Sequence, residues 1–424
     1  MDEIQSIVIV GAGQAGAVAA ASLRQLGYRG GLTLIGQEAH PPYERPPLSK
    51  AVLQGTATHA EAAVHPAGFY AENDIALLTE TAVAALDPIA RTVRLADGRT
   101  LPYDRCLLAT GGHARELPAL PRGRAGVHYI RTLNDALDLR AALRPGVRAA
   151  VIGGGFLGLE VASTARELGA EVTVIENGSR LLERALPAIV SDWLAERVRA
   201  SGVDLRLGGA IAAIGDGPPY AITLADGTQV NADLIVVSIG LAPEVTLARQ
   251  AGLPLDDNGG ICVDAQARTA DPHVYAAGDC ASQPRACLGT AARFESWQNA
   301  NEQARAAATA MRAWRPPPNP IRGSGPTSTA ATSRSWACRN PACAMYAARK
   351  RTHRPRRACC GSACAMACPA MASPSTRAAT CASCGCCSNA ASPSIRTAWP
   401  IRPKRSNPWS RPGRPPSPWP DRTR

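Results

Sequence analysis

The sequence predicts an α/β fold built on two doubly wound parallel sheets. Two copies of one pattern carry this prediction, since in each copy an apolar strand runs into a G-x-G-x-x-G turn, followed by a helix and a second apolar strand. A third observation bounds the fold, because leucine, valine and phenylalanine do not occur after residue 321. A segment so poor in large aliphatic side chains, with only Ile395 and Ile401, cannot bury enough apolar surface to fold, so the folded part is expected to end near residue 321.

The first copy of the pattern lies at the beginning of the chain. Its predicted elements are a strand over 4–10, a turn with Gly11, Gly13 and Gly16, a helix over 17–25 and a strand over 32–35. The first glycine permits a tight bend, the second lets a pyrophosphate approach the backbone, and the third lets helix and strand pack closely. This succession of elements is typical of a Rossmann-type dinucleotide-binding unit.

The second copy repeats the arrangement in the middle of the chain. It consists of a strand over 149–152, a turn with Gly153, Gly155 and Gly158, a helix over 159–168 and a strand over 171–175. A later apolar run over 233–240, which ends at Gly240, is the expected returning strand of this unit. Two such units in one chain predict two different dinucleotides, whereas a glycine turn that only packs a helix is the weaker alternative.

The residue at the end of the second strand sets the preference for the ribose. In the second copy this residue is Glu176, whose carboxylate accepts hydrogen bonds from ribose hydroxyls and repels a 2′-phosphate. NADH is therefore favoured over NADPH, although Arg180 lies near enough in sequence to leave NADPH open. In the first copy the expected position holds Gln37, with Glu38 beside it, and an amide binds a hydroxyl without charge assistance.

Four further stretches narrow the interpretation: PYERPPLSK over 42–50, YDRCLLATGG over 103–112, TADPHVYAAGD over 269–279 and ESW over 295–297. Together with the two glycine turns, they resemble the FAD-dependent, NADH-oxidising ferredoxin reductases that serve bacterial cytochromes P450 and Rieske-type oxygenases. The resemblance covers about residues 4–321. It implies a glutathione-reductase-like arrangement in which a discontinuous FAD domain, 1–114 and 247–321, brackets an NAD domain over 115–246.

The resemblance also implies a set of cofactor contacts. For FAD these are Gly11, Gly13, Ala15 and Gly16 at the pyrophosphate, Lys50 and Trp297 near the flavin ring, Val83 at the adenine, Ala109, Thr110 and Gly111 in a small-residue turn, Arg131, and Gly278 with Asp279 at the ribityl chain. For the nicotinamide dinucleotide they are Gly153, Gly155, Gly158, Glu176 and Gly240.

The implied mechanism passes a hydride from NADH to FAD and then single electrons to a [2Fe–2S] ferredoxin. Lys50 and Glu160 are the implied catalytic pair, because a cation near the flavin stabilises the electron-rich reduced ring. Arg305, on a helix predicted over 298–312, is the implied docking arginine for an acidic ferredoxin. The alternatives are a solvated loop cation for Lys50 and an ordinary helix charge for Arg305.

The stretch next to the expected flavin site ends Leu48, Ser49, Lys50 and has no cysteine. A thiol relay is therefore not expected, and Cys106, Cys262, Cys280 and Cys287 are expected to be inert side chains. So few cysteines in the predicted folded part fit a reducing cytoplasm. The chain has no apolar run of eighteen residues and no basic leader ahead of an apolar stretch, so neither a membrane span nor secretion is expected.

Residues 322–424 differ from the rest of the chain in charge, since they hold 18 Lys and Arg against a single acid. They are expected to be a disordered, low-complexity tail in place of the family's C-terminal domain. Our hypothesis is that a change of reading frame near Ile321 produced this composition. The codons of RGSGPTST over 322–329, read from one base earlier, can encode PWFWSDQY, a Trp-rich strand typical of the family. A zinc site at Cys381 and Cys384 and a basic nucleic-acid patch over 349–357 are the less favoured alternatives, so no metal is expected.

Two other functions are compatible with the sequence. One is an inactive or unstable flavin-binding product of a reductase gene whose reading frame has shifted. The other is an NADH oxidase of the apoptosis-inducing-factor type, which would reduce oxygen rather than a ferredoxin. Neither the ferredoxin partner nor the oligomeric state is encoded in a motif.

Overall fold

The computed structural model describes residues 4–285 and 288–313. The strands are β1 (Ser6–Val10), β2 (Gly31–Ile35), β3 (Ile75–Leu78), β4 (Val83–Asp87), β5 (Thr92–Leu95), β6 (Thr100–Pro102), β7 (Arg105–Leu108), β8 (Gly112–Ala114), β9 (Val127–His128), β10 (Arg148–Ile152), β11 (Glu171–Glu176), β12 (Asp204–Leu207), β13 (Ile211–Ile214), β14 (Tyr220–Leu224), β15 (Gln229–Ala232), β16 (Leu234–Val237), β17 (Leu241–Pro243), β18 (Ile261–Cys262), β19 (Val274–Ala276), β20 (Ala281–Arg285) and β21 (Thr290–Ala292). The α-helices are α1 (Gln14–Gln25), α2 (Ala51–Gln54), α3 (Phe69–Glu72), α4 (Leu133–Ala142), α5 (Phe156–Glu167), α6 (Ala188–Ala200), α7 (Thr246–Gln250) and α8 (Trp297–Ala313), and short 3-10 helices span Pro46–Ser49 and Ala60–Ala62.

The first parallel sheet has the strand order β19-β7-β1-β2-β3. Its register places Ile7 opposite both Leu32 on β2 and Arg105 on β7. The central strands are continuous apolar runs because both faces of the sheet are covered, which is the usual condition for parallel strands. On one face α1 and α8 pack together through alanine side chains, among them the buried Ala19 and Ala304, and small side chains let the two helices approach closely.

The second parallel sheet has the strand order β12-β11-β10-β16-β9. Val151 on β10 lies opposite Val174 on β11 and Val236 on β16, and all three side chains are buried. Helix α5 packs on β10 and β11. The same order of strand, turn, helix and strand that the sequence shows twice is thus folded twice.

The two sheets differ in how their strands follow one another along the chain. The strands of the second sheet lie between β7 and β19 in sequence, so the first sheet takes its strands from both sides of the second. Where the chain leaves and returns, β8 pairs with β17 in an antiparallel ribbon, with His113 opposite Ala242. Three smaller sheets, β4-β5-β6, β13-β14-β15 and β18-β20-β21, complete the described fold.

The predicted α/β class with two parallel sheets is confirmed, with shifts at the element ends. Helices α1 and α5 begin three residues before the predicted positions, at Gln14 and Phe156 rather than at 17 and 159. The third glycine of each turn therefore belongs to the first turn of the helix. At that position a Cβ would lie 1.9 Å from the carbonyl oxygen of Gly11 in the first copy and 2.1 Å from that of Gly153 in the second, so the helix packs directly on the turn. The predictions for residues 322–424 and Cys287 lie outside the described residues.

Within the residues that the structure describes, no helix combines the length and apolar character needed to cross a membrane. In the same residues, no three His, Cys, Asp or Glu side chains come together in a way that could hold a metal ion.

Candidate functional site

A cleft of about 2350 Å³ opens at the carboxyl ends of both parallel sheets. It is reached by the last residues of β1, β2, β10 and β16, and both glycine turns line it. In open α/β sheets, ligands bind at the carboxyl ends of the strands. They bind at the point where the connections from two neighbouring strands lead away in opposite directions. Predicted site residues that line the cleft are Gly11, Gly13, Ala15, Gln37, Glu38, Val83, Ala109, Thr110, Gly111, Arg131, Gly153, Gly155, Glu176, Gly240, Gly278, Asp279 and Trp297.

The glycines of the first turn have three different environments. Gly11 has a φ of +112°, and a Cβ there would lie 2.2 Å from the carbonyl oxygen of Ala109. A Cβ on Gly16 would lie 1.9 Å from the carbonyl oxygen of Gly11, so helix and turn touch at that point. A Cβ on Gly13 would meet nothing within 4 Å. The first and third glycines are thus required by the fold itself, whereas the second leaves free space that faces the cleft.

The second turn repeats these environments closely. A Cβ on Gly153 would lie 2.1 Å from the carbonyl oxygen of Ser238, and one on Gly158 would lie 2.1 Å from that of Gly153. A Cβ on Gly155 would meet nothing within 4 Å. In each copy the open glycine is the N-cap of the helix that follows, with backbone in the extended region.

Each helix therefore begins at a bare stretch of backbone that lines the cleft. The first N–H groups of a helix lack partners within the helix, and the helix dipole adds positive potential at this end. A phosphate can approach these groups because no side chain stands at Gly13 or Gly155. The residues present fit one dinucleotide phosphate group at each turn.

Glu176 lies where β11 enters the cleft. Its Oε2 accepts a hydrogen bond from the Gly154 N–H at 2.6 Å, and its Oε1 accepts one from the Gly178 N–H at 2.6 Å. The carboxylate is thereby held in one orientation, while each oxygen keeps a lone pair for a further donor. This arrangement can bind the two hydroxyls of a ribose and opposes a 2′-phosphate.

The equivalent position in the first copy is Gly36, not Gln37. The Gly11 N–H donates to the Ile35 carbonyl at 2.8 Å, and in the second copy the Gly153 N–H donates to the Ile175 carbonyl at 2.8 Å. Glu176 therefore corresponds to Gly36, where a Cβ would lie 2.6 Å from the methyl group of Ala12. The sequence prediction counted one residue too far, because the strand ends at Ile35 and the turn begins immediately after it.

Glu38 carries the acid of the first copy, and its carboxylate is held by neighbours. Arg45 Nη2 donates to Glu38 Oε1 at 2.8 Å, and the Tyr43 hydroxyl donates to Glu38 Oε2. The same Tyr43 oxygen accepts a hydrogen bond from the Leu133 N–H at 2.9 Å, and burial raises the pKa of this phenol. Arg45 also donates to the carbonyl of Arg131. Tyr43 and Arg45 were quoted within a motif but not predicted as site residues.

Arg131 and Asp279 form the second ion pair that lines the cleft. Arg131 Nη2 lies 3.0 Å from Asp279 Oδ2, and Arg131 Nε donates to the carbonyl of Gly112 at 2.9 Å. Burial, and then the positive charge of Arg45, lower the pKa of the Arg131 guanidinium. Asp135 positions this arginine, since its carboxylate accepts from the Arg131 N–H at 2.8 Å.

Two supports of this pair were missed at the sequence level. Thr132 and Asp135 form a capping box at the start of α4, which the spacing T-x-x-D signals. Gln303, on α8, accepts a hydrogen bond from the Gly278 N–H at 2.8 Å and so fixes the loop that carries Asp279. No local motif points to Gln303, because its partner lies 25 residues earlier in the chain.

Lys50 and Glu160 come together as the resemblance implied. Lys50 Nζ lies 2.6 Å from Glu160 Oε2, and the buried Ser49 hydroxyl donates to the same oxygen at 2.6 Å. The Ser49 carbonyl in turn accepts from the Thr164 hydroxyl at 2.8 Å, which anchors the segment on α5. Neither Lys50 nor Glu160 is among the residues that line the cleft, so the pair stands beside it.

The described cysteines are separate from the cleft lining. Cys106 and Cys280 are buried, and burial raises the pKa of both thiols, which keeps them protonated. Cys262 is half-buried on β18. The two buried thiols therefore lack the exposure and lowered pKa of a reactive cysteine.

Two predicted residues of α8, one at its start and one at its middle, have different surroundings. Trp297 is half-exposed, and its indole N–H donates to Glu44 Oε1 at 3.2 Å at the mouth of the cleft. Arg305 is exposed and does not line the cleft. It borders a separate shallow depression of about 400 Å³ with Gln266 and Arg268.

Comparison with known proteins agrees with this geometry. A family model described as pyridine nucleotide-disulphide oxidoreductase matches residues 5–304. Rhodocoxin reductase of Rhodococcus erythropolis is 41% identical over 308 residues, which cover 72% of this chain and 72% of that protein. The ferredoxin–NAD(+) reductase component of the p-cumate 2,3-dioxygenase system of Pseudomonas putida is 42% identical over 304 residues, 72% of this chain and 74% of that protein.

Solved structures give the same result. The reductase in the covalent putidaredoxin reductase–putidaredoxin complex matches with a TM-score of 0.70 and 39% identity over 73% of this chain and 76% of that chain. Because the family model and these relatives span most of the chain, the resemblance inferred from the motifs is confirmed. The chain belongs to the pyridine nucleotide-disulphide oxidoreductase family and is a flavoprotein oxidoreductase that works with NAD(H).

Proposed function

We propose that this chain is an NADH:ferredoxin reductase that binds FAD at the first glycine turn and NADH at the second. The observation that carries this proposal is that both turns open onto one continuous cleft. Its support also includes the relatives named as ferredoxin–NAD(+) reductase components. The oxygenase served would be a cytochrome P450 or a Rieske enzyme, and the working compartment the cytoplasm.

The flavin, when bound, accepts two electrons as a hydride and releases them one at a time, as a [2Fe–2S] partner requires. The chain's own residues would bind the two cofactors, orient them, and exclude water from the space between their rings. The helix N-termini at Gly13 and Gly155 would hold the phosphates, Glu38 and Glu176 would orient the riboses, and the common cleft would bring the two reacting rings together.

The charged pairs have electrostatic roles in this proposal. Asp279, held by Arg131 at 3.0 Å, would bind the ribityl hydroxyls. Lys50, held by Glu160 at 2.6 Å, would stabilise negative charge on the reduced ring from beside the cleft. No side chain is needed as a nucleophile, which agrees with the position of the described thiols away from the cleft lining.

We also propose the domain boundaries 1–114 with 247–321 for the FAD domain and 115–246 for the NAD domain. The strand order supports them, because β19 returns to the first sheet after the whole second sheet. The ribbon of β8 and β17 lies near both crossing points. Arg305 remains a proposed docking residue for an acidic ferredoxin, supported by its exposure on α8.

The test is an anaerobic titration of the purified, flavin-loaded chain with NADH, followed at the flavin absorption band. One equivalent of NADH should bleach the band, and addition of a [2Fe–2S] ferredoxin should restore it while the ferredoxin is reduced. A rubredoxin is included as a second acceptor, since rubredoxin-NAD(+) reductase of Pseudomonas putida is 39% identical. Rapid peroxide formation in air, with no acceleration by either acceptor, would instead identify an NADH oxidase.

A further inference from the structure

We infer that Glu183 is a second residue that selects NADH over NADPH, and that it acts by neutralising Arg180. This inference rests on the proposed binding of NADH at the second glycine turn. It concerns the loop between β11 and α6, where an arginine stands close to the ribose site. An arginine at this place is the side chain expected to bind a 2′-phosphate.

Two carboxylates flank Gly178 in this loop. A Cβ on Gly178 would lie 3.1 Å from Glu176 Oε1 and 3.1 Å from Glu183 Oε2. Both glutamates line the cleft. The ribose site is therefore bordered by two negative charges, of which only Glu176 follows from the motif.

Arg180 is the cation of the same loop, and Glu183 is its partner. Arg180 Nη2 lies 3.6 Å from Glu183 Oε1, a separation at which the charges attract without a close hydrogen bond. Arg180 Nη1 is buried and has no hydrogen-bond partner among the described residues. The guanidinium lines the cleft and still has N–H groups free to donate. Glu183 therefore compensates the charge of Arg180 without using up its hydrogen-bond donors.

The charges of this loop explain why an arginine does not make the site a 2′-phosphate site. Glu183 compensates Arg180, and Glu176 adds one further negative charge at the ribose. A 2′-phosphate would bring up to two more negative charges against this balance, whereas the ribose hydroxyls of NADH bring none. Arg184 also lines the cleft. Arg184 and Glu183 are both exposed, so water and salt weaken both charges, and Arg180 is the more buried of the two arginines.

The experiment measures equilibrium binding of adenosine 2′,5′-bisphosphate and adenosine 5′-monophosphate to the flavin-loaded chain by calorimetry. The variants are Glu183→Gln, Glu183→Gln with Arg180→Gln, and Glu196→Gln. The last removes the same charge from an exposed position on α6 away from the cleft lining. Steady-state kcat/KM for NADPH and NADH is measured in parallel.

We expect Glu183→Gln to tighten binding of the bisphosphate about tenfold, the size typical of one nearby charge partly screened by water. Binding of the monophosphate should change less than about twofold, since that ligand lacks the second phosphate. Adding Arg180→Gln should abolish the gain, and Glu196→Gln should show none.

An unchanged ratio in Glu183→Gln overturns the inference. So does a gain that survives Arg180→Gln, because Glu183 would then act by its own charge and not through the arginine. If the unaltered chain binds neither probe, the nucleotide site itself is refuted and the proposed function falls together with the inference.

Discussion

At the scale of single residues, the two glycine turns separate what the fold needs from what the ligand needs. Gly11 and Gly16 touch backbone, whereas Gly13 faces open space. The motif predicts a separate reason for each glycine, and the structure shows which backbone atoms the first and third positions meet. This difference can be measured because two alanine substitutions in the same turn should affect different properties. One should weaken flavin binding, and the other should lower the stability of the fold.

Gly13→Ala should leave the fold intact and weaken flavin binding by at least tenfold. The new methyl meets no protein atom within 4 Å, so the cost to stability should be about 1 kcal/mol or less. Gly16→Ala places a methyl 1.9 Å from a carbonyl oxygen and should destabilise the protein by about 2–4 kcal/mol. Urea unfolding of the apoprotein and flavin titration separate the two effects. Equal stability losses would contradict this assignment.

The ion pair of Lys50 and Glu160 lets us predict the direction in which substitutions shift the midpoint potential of the flavin. If the cation acts on the ring, Lys50→Gln should lower the two-electron midpoint potential of the bound flavin. A partly screened charge is worth about 1–2 kcal/mol, which corresponds to about 20–40 mV for two electrons. Glu160→Gln should shift the potential in the opposite direction, because it leaves the lysine uncompensated.

Spectroelectrochemical titration of both variants measures these shifts, with Lys50→Arg as the control that keeps the charge. Identical potentials in all four proteins would remove Lys50 from the environment of the flavin. The pair would then be an element of structure that joins the segment around Ser49 to α5.

At the scale of elements, the start of β10 is tied to the start of β16. Arg148 donates to Asp233 through its backbone N–H, Nε and Nη2 at 3.0, 3.1 and 2.6 Å. The Asp233 N–H returns a hydrogen bond to the Arg148 carbonyl at 2.8 Å. This pair sets the register of the two central strands of the second sheet, and through them the position of Gly153 and Gly240 at the other end.

The same pair predicts a dependence of stability on pH. The hydrogen bonds from Arg148 lower the pKa of Asp233 to about 2, below the value of about 3.9 in an unfolded chain. The contribution is therefore fully present above about pH 4 and is lost as the pH falls through about 2. Asp233→Asn should reduce the free energy of unfolding at pH 7, modestly because both side chains are 40% exposed.

The difference between the parent chain and Asp233→Asn should shrink as the pH is lowered from 4 towards 2. Urea unfolding at a series of pH values measures it. Asp204→Asn, in an exposed pair with Arg206 at 2.9 Å, controls for the change in net charge. A difference that stays constant from pH 7 to the acid limit would show that Asp233 does not act through its ionised form.

At the scale of the whole molecule, the strands of the second sheet are inserted in sequence between two strands of the first, and one cleft is lined by the glycine turns of both. The first sheet is completed by β19, which follows the whole second sheet in sequence, so residues from both sides of the inserted strands line the cleft. Residues 322–424 follow this completed arrangement, and their composition leads to a hypothesis about the gene rather than about the fold.

We predict that sequencing the gene across the codon of Ile321 will show one base more than the present frame contains. Inserting a single C after that codon should give a chain that continues PWFWSDQY. By resemblance to the family, the restored segment should screen the flavin, so peroxide formation in air should fall several-fold relative to the present chain. An unaltered frame in the gene removes the hypothesis, and equal peroxide rates remove the screening role.

The sequence by itself determined the two strand–turn–helix units and the glycines that line the cleft. The reason is that these are local patterns, in which apolar runs and small residues a few positions apart encode one unit. It also predicted the place of Glu176 in the cleft, because that residue lies at the end of the second strand. The same counting failed at Gly36, where the end of β2 and the methyl of Ala12 decide which residue enters the site.

Only the tertiary structure decided which distant residues complete the cleft. Gln303 reaches Gly278, Arg131 reaches Asp279 across 148 positions of sequence, and Tyr43 joins Glu38 to the start of α4. Hydrogen bonds between remote segments leave no periodic trace in a sequence, since their geometry exists only after both sheets have packed. The ion pair of Arg180 and Glu183 is local in sequence. Its proposed effect on nucleotide selection nevertheless depends on the cleft, which only the whole fold creates.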